Sequence, residues 1–289
     1  MKPASFEHVA PATVHEALLL LADDSIESKV LAGGQSLIPL MNLRLATPER
    51  LIDTNNLFDL AYILQDFQGL QIGAMTRHAD VLTSPLVRQV CPLLHEAAGY
   101  VAHSQIRNRG TLGGTLAHAD AAAEMPVALL ASDAVITARS VEGERQIAAQ
   151  DFFKSYFTTA LRADELLVDV FVPNAAPHSG SAFREFARRR GDYAIGGAAT
   201  VITLDNTGVC ESARIALLAA GPAPVRALGA EHLAVGRSLD DEMIREVAIA
   251  AAAESNPVDS VHGTIEYRRA VIEQMVYQAL REAVRRAGV

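Results

Sequence analysis

The sequence predicts an α+β fold in two parts, and three observations carry that reading. Residues up to about 173 mix strand-like and helix-like stretches, whereas those after about 181 read as strands followed by helices. Between them lies "NAAPHSGS" at 174–181, rich in Pro, Ser and Gly, the composition of a boundary. No repeat of solenoid length runs along the 289 residues, so the length fits two domains rather than an array.

Taken in order, "PATVHEALLLLADD" sets Thr13 three residues before Glu16, ahead of an apolar run, which predicts a capped helix from Val14 to Ala22. "SKVLAGG" reads as a short strand entering a glycine turn. "QSLIPLMNLRL" is partly helical around Pro39, "RLIDT" is a strand, "LFDLAYIL" fits either state, and "GLQIGAM" alternates like a strand. Thr76 is placed to cap a helix over "RHADVLT". "LVRQVCPLLHEAAGYVA" is helical, with Pro92 inside it or at a break. A loop over 106–124 leads into a helix over "EMPVALLAS", and "AVITARS", "ERQIAA" and "ELLVDVFVP" are strands. Beyond the boundary, "SAFREFARR", "AIGGAATVITLD" and "CESARIALLAAG" are three strands, the last two joined by the turn "DNTG". "LGAEHLAVG", "DDEMIREVAIAAAAE" and "EYRRAVIEQMVYQALREAVRRA" are helices.

Composition excludes several classes. Net charge is -9, and the one prominent arginine cluster, "RRR" at 188–190, is too small for a nucleic-acid face. Only Cys91 and Cys210 are present, and no Cys-x-x-Cys, so neither an iron–sulfur cluster nor a zinc finger can be built here. No apolar run reaches the roughly 20 residues of a membrane span. "MKPASFEHVAP" carries no signal-peptide pattern, so a cytoplasmic location is expected.

Two glycine pairs stand out: Gly33–Gly34 in "KVLAGGQSLIPLMNLR" and Gly113–Gly114 in "RNRGTLGGTLAHADAAAE". A residue without Cβ lets a ligand approach the backbone and lets N–H groups face it. Set between a strand and a helix start, such a turn suits phosphate. Ser36 and Thr115 follow with hydroxyl donors. A plain tight turn explains either pair alone; two similar pairs in one chain favour a shared ligand, such as a dinucleotide with its pyrophosphate between them. Neither pair has G-x-G-x-x-G spacing with an acid about 20 residues on, and no G-x-x-x-x-G-K-[ST] occurs, so Rossmann and Walker sites are excluded. His118, Asp120 and Glu124 could ligate a metal, but no second ligand cluster accompanies them. Carboxylates accepting from ribityl hydroxyls or a flavin N–H suit a redox cofactor better, with helix capping by either acid the plainer alternative.

At this point the motifs carry a resemblance. "AGGQSLIPLMNLR", "IRNRGTLGGTLAHADAAAE", "RRRGDYAIGGAA" and "LAAGPAPVRA" with "EYRRAV" occur in the order found in the FAD-binding medium subunits of molybdenum hydroxylases. That group includes aerobic carbon monoxide dehydrogenase, quinoline oxidoreductase and the FAD domain of xanthine dehydrogenase. The resemblance spans essentially the whole chain. It implies an oxidoreductase subunit with a p-cresol methylhydroxylase-type FAD-binding domain at 1–176, in two α/β subdomains at about 1–55 and 56–176. A C-terminal three-stranded antiparallel sheet with helices follows at 177–289, and FAD lies between the parts.

Carried over by position, Ala32, Gly33, Gly34, Gln35 and Ser36 hold the pyrophosphate and ribityl chain with Thr111, Leu112, Gly113, Gly114 and Thr115. Asp120 and Glu124 fall in the acidic stretch near the cofactor. Leu161 and Leu167 fall where relatives line the flavin, Arg184 where some have a lysine facing it, and Tyr193 beside the isoalloxazine, shaping access. This chain departs from the common pattern at Ala121, where many relatives have Pro, and at Glu124, where some have Asp. The missing proline removes a pre-set φ.

The resemblance also implies a division of labour. A large molybdopterin subunit oxidises the substrate, a small subunit carries two [2Fe–2S] clusters, and this chain passes electrons to NAD, a quinone or O2, with no catalytic or metal-binding side chain of its own expected. A dimer of heterotrimers is the expected assembly. FAD is expected to be noncovalent, since no His or Cys lies in an attachment motif. The form "HADAxAEMP" leans toward members acting on N-heterocycles. The alternative is a self-contained flavin dehydrogenase or oxidase of the same fold superfamily, which turnover by the isolated chain would mark.

Overall fold

The computed structural model describes residues 2–288. The first unit is a small three-layered assembly: β1 (Glu7–Val9), α1 (Val14–Leu21), β2 (Ser28–Leu31), α2 (Leu37–Asn42) and β3 (Arg50–Asp53). Its strands form a parallel sheet in the order β1-β3-β2, with β3 central. Crossover connections explain the parallel pairing, because a tight hairpin can join only antiparallel strands. Thr13 caps α1 by accepting from the Glu16 N–H at 3.2 Å, while the Glu16 carboxylate accepts from Ala12, one residue before the expected partner. Ala17, Leu18, Ile52, Leu57, Leu60 and Met75 form the core beneath this sheet.

The second unit holds β4 (Ile63–Gln65), β5 (Gly69–Gly73), α3 (His78–Thr83), α4 (Pro85–Val90), α5 (Pro92–Tyr100), α6 (Ser104–Arg107), α7 (Leu112–His118), α8 (Glu124–Ala131), β6 (Val135–Ser140), β7 (Gly143–Ala148), α9 (Ala149–Phe152), β8 (Phe153–Ser155), β9 (Thr158–Thr159) and β10 (Leu166–Pro173). Five of these strands make an antiparallel sheet in the order β4-β5-β10-β6-β7. The ambiguous "LFDLAYIL" resolves into a 3-10 turn at Phe58–Leu60 followed by β4.

Two expectations change here, those for Thr76 and for the stretch 106–124, and the open alternative at Pro92 resolves as a break. Thr76 does not cap α3: it donates its hydroxyl to the Tyr62 carbonyl at 2.9 Å, and Arg77 takes the cap position. Pro92 breaks the long helix, because it cannot donate to a preceding carbonyl, so α4 ends at Val90 and α5 restarts on the proline. The stretch 106–124 contains a helix of its own, α7, capped by Thr111.

The third unit follows from Ser179. Strands β11 (Ser179–Phe186), β12 (Gly196–Leu204) and β13 (Cys210–Leu218) pair antiparallel, and the two-residue β14 (Val225–Arg226) extends the predicted three-stranded sheet at its edge. Helices α10 (Leu228–Ala234), α11 (Asp241–Ala253) and α12 (Ile265–Ala287) cover one face. Strand alternation divides β11: Ala182 points into the core with these helices, and Phe183 into the core shared with α5, α8 and the five-stranded sheet. The second and third units therefore share one continuous core. Glu96 fastens them, accepting from the Phe183 N–H at the open edge of β11 (3.0 Å) and pairing with Arg286 of α12 at 2.6 Å.

Candidate functional site

The two glycine loops, with Gly33 and Gly113 80 residues apart in sequence, touch. Gly33 is packed so tightly that a Cβ there would overlap the Arg109 carbonyl oxygen and stand 2.7 Å from the Gly110 Cα. A Cβ at Gly114 would reach the Ala32 Cβ at 3.5 Å. Gly34 adopts φ +72°, a left-handed conformation that favours glycine and turns the chain out of β2. Beside this contact opens a cleft of about 400 Å³, lined among others by Ala32, Gly33, Gly34, Gln35, Asn55, Ile106 and Arg109.

The two loops nonetheless offer different chemistry. Among the described residues, the backbone N–H groups of Gly33, Gly34, Gln35, Ser36 and Leu37 meet no protein acceptor. Those of Leu112, Gly113, Gly114 and Thr115 are all engaged, with the Thr76 carbonyl, the Ala74 carbonyl, the Thr111 hydroxyl and the Thr111 carbonyl at 2.8–3.1 Å. The first loop is a row of free donors. The second is a satisfied helix start that supplies a close surface. Gly113 is packed against Ala74, where a Cβ would come within 2.6 Å of another Cβ, so its lack of a side chain serves the fold.

Arginines complete the cleft. Arg109 lines it and makes no ion pair among the described residues. Arg77 binds the Arg109 carbonyl and donates to the Asn55 side chain at 2.7 Å, and Asn55 in turn donates to the Ala32 carbonyl at 2.9 Å. Burial and the neighbouring Arg109 charge both hold the Arg77 pKa below its ordinary value. Arg109 beside a row of free N–H groups, with the Arg77 charge close to it, makes a site for an anion. Arg109, Arg77 and Asn55 were not among the residues singled out from the sequence. Arg109 lies inside the second glycine motif, but nothing local marks Arg77 or Asn55, because the three converge from separate segments.

The acidic stretch lies farther along the same side. Ala119, the C-cap of α7, has φ 51°, and its carbonyl accepts from Phe157 at 3.1 Å. Asp120 accepts the Ala122 N–H at 2.9 Å in a local turn, and α8 begins at Glu124 without a side-chain cap. Burial, then the charge of Asp120, pushes the Glu124 carboxyl up to about 7. Burial, then the charge of Glu124, pushes Glu185 up to about 8, and one Glu185 oxygen is buried without a partner. Tyr193 is 73% exposed, and its phenol is raised by desolvation and by Asp120 and Glu124. Asp120, Glu124 and Tyr193 are thus brought together, with Glu185 as a fourth member that motif reading missed.

The remaining expected residues lie elsewhere. Arg184 donates to the Phe183 carbonyl and lies 3.9 Å from Glu96; alternation along β11 directs it to the face opposite Glu185. Leu167 is buried within the shared core, leaving little surface for a ligand, and Leu161 packs half-buried against that core. Among the described residues no group of three or more His, Cys, Asp or Glu side chains converges as a metal site, and no helix is long and apolar enough to cross a membrane.

Comparison with known proteins matches this geometry to a family. Residues 4–175 match the FAD binding domain in molybdopterin dehydrogenase, and residues 181–283 match the CO dehydrogenase flavoprotein C-terminal domain. The chain is 48% identical over 287 residues to the 6-hydroxypseudooxynicotine dehydrogenase complex subunit alpha of Paenarthrobacter nicotinovorans, covering 99% of this chain and 97% of that one. It is 37% identical to the carbon monoxide dehydrogenase medium chain of Hydrogenophaga pseudoflava, covering 98% of each. The structure superposes on quinoline 2-oxidoreductase from Pseudomonas putida 86 with TM-score 0.94 and 38% identity over the whole of both chains.

Proposed function

This chain belongs to the family of FAD-binding medium subunits of molybdenum hydroxylases, and on that premise we propose that it is the electron-transferring subunit of a heteromeric enzyme. In this reading it takes electrons from the [2Fe–2S] clusters of a small partner subunit, while a large molybdopterin subunit oxidises the substrate. The observation that carries the cofactor assignment is the row of unpartnered N–H groups from Gly33 to Leu37 beside Arg109.

The residues fit a diphosphate ester. Five N–H donors and Arg109 answer its charge, Gly33 and Gly114 let the two loops pack together, and Gly34 supplies the left-handed turn that exposes the donors. When bound, FAD supplies the redox chemistry, accepting electrons one at a time and releasing them to an external acceptor such as NAD, a quinone or O2. The chain binds and orients it. Asn55 and Arg77 brace the two walls against each other, so the cleft width is fixed before a ligand enters. Asp120, Glu124 and Glu185 present carboxyls on the side of Tyr193, with Glu124 and Glu185 able to hold protons near neutral pH. Tyr193, largely exposed, shapes access there. Noncovalent attachment is part of the proposal, since neither glycine wall presents a Cys, and both cysteines, Cys91 and Cys210, are buried.

For the assembled enzyme we propose an N-heterocyclic substrate. The names of two relatives, the 6-hydroxypseudooxynicotine dehydrogenase subunit and the nicotine 6-hydroxylase medium subunit, support this class. The test is native co-purification: two further chains carrying molybdenum and iron, and yellow colour released into the supernatant by acid, are expected. A yellow chain that turns over substrate alone, without metal-bearing partners, overturns the subunit assignment in favour of a self-contained flavin enzyme.

A further inference from the structure

One buried histidine belongs to none of the roles above. His78 is 2% exposed, and its ring nitrogen Nε2 lies 2.7 Å from the Thr115 hydroxyl oxygen. Its other ring nitrogen, Nδ1, is buried with no partner. The ring lies against Gly110: the His78 backbone N–H donates to the Gly110 carbonyl at 3.0 Å, and a Cβ at Gly110 would stand 3.0 Å from the ring. The nearby Arg107 donates to the Val101 and Ala102 carbonyls at 2.7 and 2.9 Å, which fixes its charge beside the ring.

Burial, then that charge, lowers the His78 pKa to about 4, so the ring is neutral at ordinary pH and carries one proton. A buried N–H without an acceptor costs more than a buried lone pair without a donor. The single proton therefore belongs on Nε2, and Nδ1 keeps a lone pair. Nε2–H then donates to Thr115, whose hydroxyl oxygen makes no other hydrogen bond to the described residues. The hydroxyl hydrogen is left pointing away from the ring. Thr115 is half-buried, and the adjacent Gly114 faces Ala32 of the cleft wall.

We propose that His78 is a positioning residue that makes the Thr115 hydroxyl a dedicated donor to a diphosphate oxygen of the bound cofactor. A free threonine hydroxyl can donate or accept. With its acceptor side engaged by His78, it answers an acceptor-only ligand. The proposal rests on the FAD reading of the cleft, and it explains why a neutral, desolvated histidine stands behind a glycine wall whose own N–H groups are engaged.

Two measurements on the full chain test it. The first is the ring-nitrogen NMR spectrum of 15N-labelled apo-chain between pH 6 and 8, which needs no flavin. A neutral Nε2–H tautomer for His78 is expected; an Nδ1–H tautomer or a protonated ring overturns the proposal. The second is binding of FAD, ADP and riboflavin to the wild type, His78→Phe, His78→Gln, Thr115→Val and the double variant His78→Phe/Thr115→Val. His78→Phe and Thr115→Val should each weaken FAD and ADP by about 5-fold, the scale of one hydrogen bond, and the double variant no further. His78→Gln, which can still donate, should retain most of the affinity. Additive losses, or a loss seen with riboflavin but not with ADP, overturn the proposal. Wild-type chain that binds none of the three refutes the cleft assignment itself, and the tautomer result then stands as a separate finding about the fold.

Discussion

Adding one methyl group at Gly33 should open the cofactor cleft. The new Cβ of Gly33→Ala would overlap the Arg109 carbonyl oxygen and stand 2.7 Å from the Gly110 Cα and 2.9 Å from the Arg109 carbonyl carbon, where ordinary contact begins at 3.4 Å. All three are backbone atoms, so no side-chain rotation relieves the clash. Gly110 cannot retreat freely, since it is backed by the His78 ring. The walls must separate by at least about 0.7 Å at this point, a strain of the kind that costs about 1–3 kcal/mol in a packed site. Some of that separation falls on the Asn55–Ala32 and Arg77–Asn55 hydrogen bonds that set the cleft width. FAD affinity should drop about 10-fold or more, read as Kd by quenching of flavin fluorescence on apo-chain, with the melting temperature lowered in parallel. Gly208→Ala is the control: φ +83° strains it, nothing lies within 4 Å, and it should lower stability without touching flavin binding. Gly33→Ala protein that melts like wild type and binds FAD within about 2-fold refutes the contact argument.

Three further outcomes follow from the same geometry. Gly114→Val should lose flavin by about 10-fold or more while the C-terminal sheet and helices stay folded, because its side chain would meet the Thr111 capping oxygen at 2.7 Å and crowd Ala32; full flavin absorbance in the purified variant contradicts this. Arg109→Met should weaken FAD roughly 3- to 10-fold at low salt, and the deficit should shrink as salt screens the wild-type cation; a salt-independent deficit points to packing instead. Apo-chain stability should fall between pH 6.5 and 8 by on the order of 1–2 kcal/mol. In that range folded Glu124 and Glu185 retain protons, with values near 7 and 8, that the unfolded chain has released. Their contribution is therefore complete below the ordinary carboxyl value of 4.5 and is lost as pH rises through the folded values. His78, held near 4, acts in the opposite sense below 6.5, where the unfolded chain binds the proton that the folded chain refuses. Urea midpoints of the apo-chain at the two pH values, with Glu185→Gln abolishing much of the alkaline decline, check the assignment.

The fold was legible where local chemistry decides it. Thr13 before an apolar run gave α1, the alternating "GLQIG" gave β5, and three long strands followed by three helices gave the third unit. What escaped depends on distant partners. Strand β1 spans three residues and exists because Glu7 to Val9 pair with Arg50 to Ile52. Strand β14 is two residues stitched onto Ala216 and Leu217. Thr76 has a capping side chain, yet the Tyr62 carbonyl claims its hydroxyl. In the site, the glycines were legible because a missing side chain is a local signal. The difference between them was not, since whether an N–H is free depends on which carbonyls the fold brings near. Glu185 was hidden for the same reason: in "FREFARR" it looks like any charged strand residue, and its burial in the fold, with Glu124 nearby, raises its proton affinity.

The position that departs from the commoner pattern, Ala121, shows how the fold fixes a loop without the usual device. Proline there would set φ covalently and lower the entropy of the unfolded chain. Here three hydrogen bonds hold the same stretch. The Asp120 carboxylate accepts from the Ala122 N–H at 2.9 Å, the Asp120 carbonyl from Ala123 at 3.1 Å, and the Ala121 carbonyl from Ala219 at 3.0 Å, just beyond the end of β13. The last of these ties the acidic loop to the third unit, so the loop is fixed by the very sheet that carries Glu185. Asp120 thereby gains a structural duty: one of its carboxylate oxygens pins the turn that delivers Glu124, and the other makes no hydrogen bond to the described residues. Removing the carboxylate with Asp120→Ala should loosen this turn as well as delete a contact. Restoring the proline with Ala121→Pro should leave the Ala121 carbonyl bond intact and stiffen the turn, since Ala121 contributes no N–H to these three bonds. The two substitutions therefore separate what the loop needs for its shape from what it offers the cofactor. If Ala121→Pro in the Asp120→Ala background restores stability but not flavin affinity, the carboxylate acts on the ligand; if it restores both, Asp120 serves the turn alone.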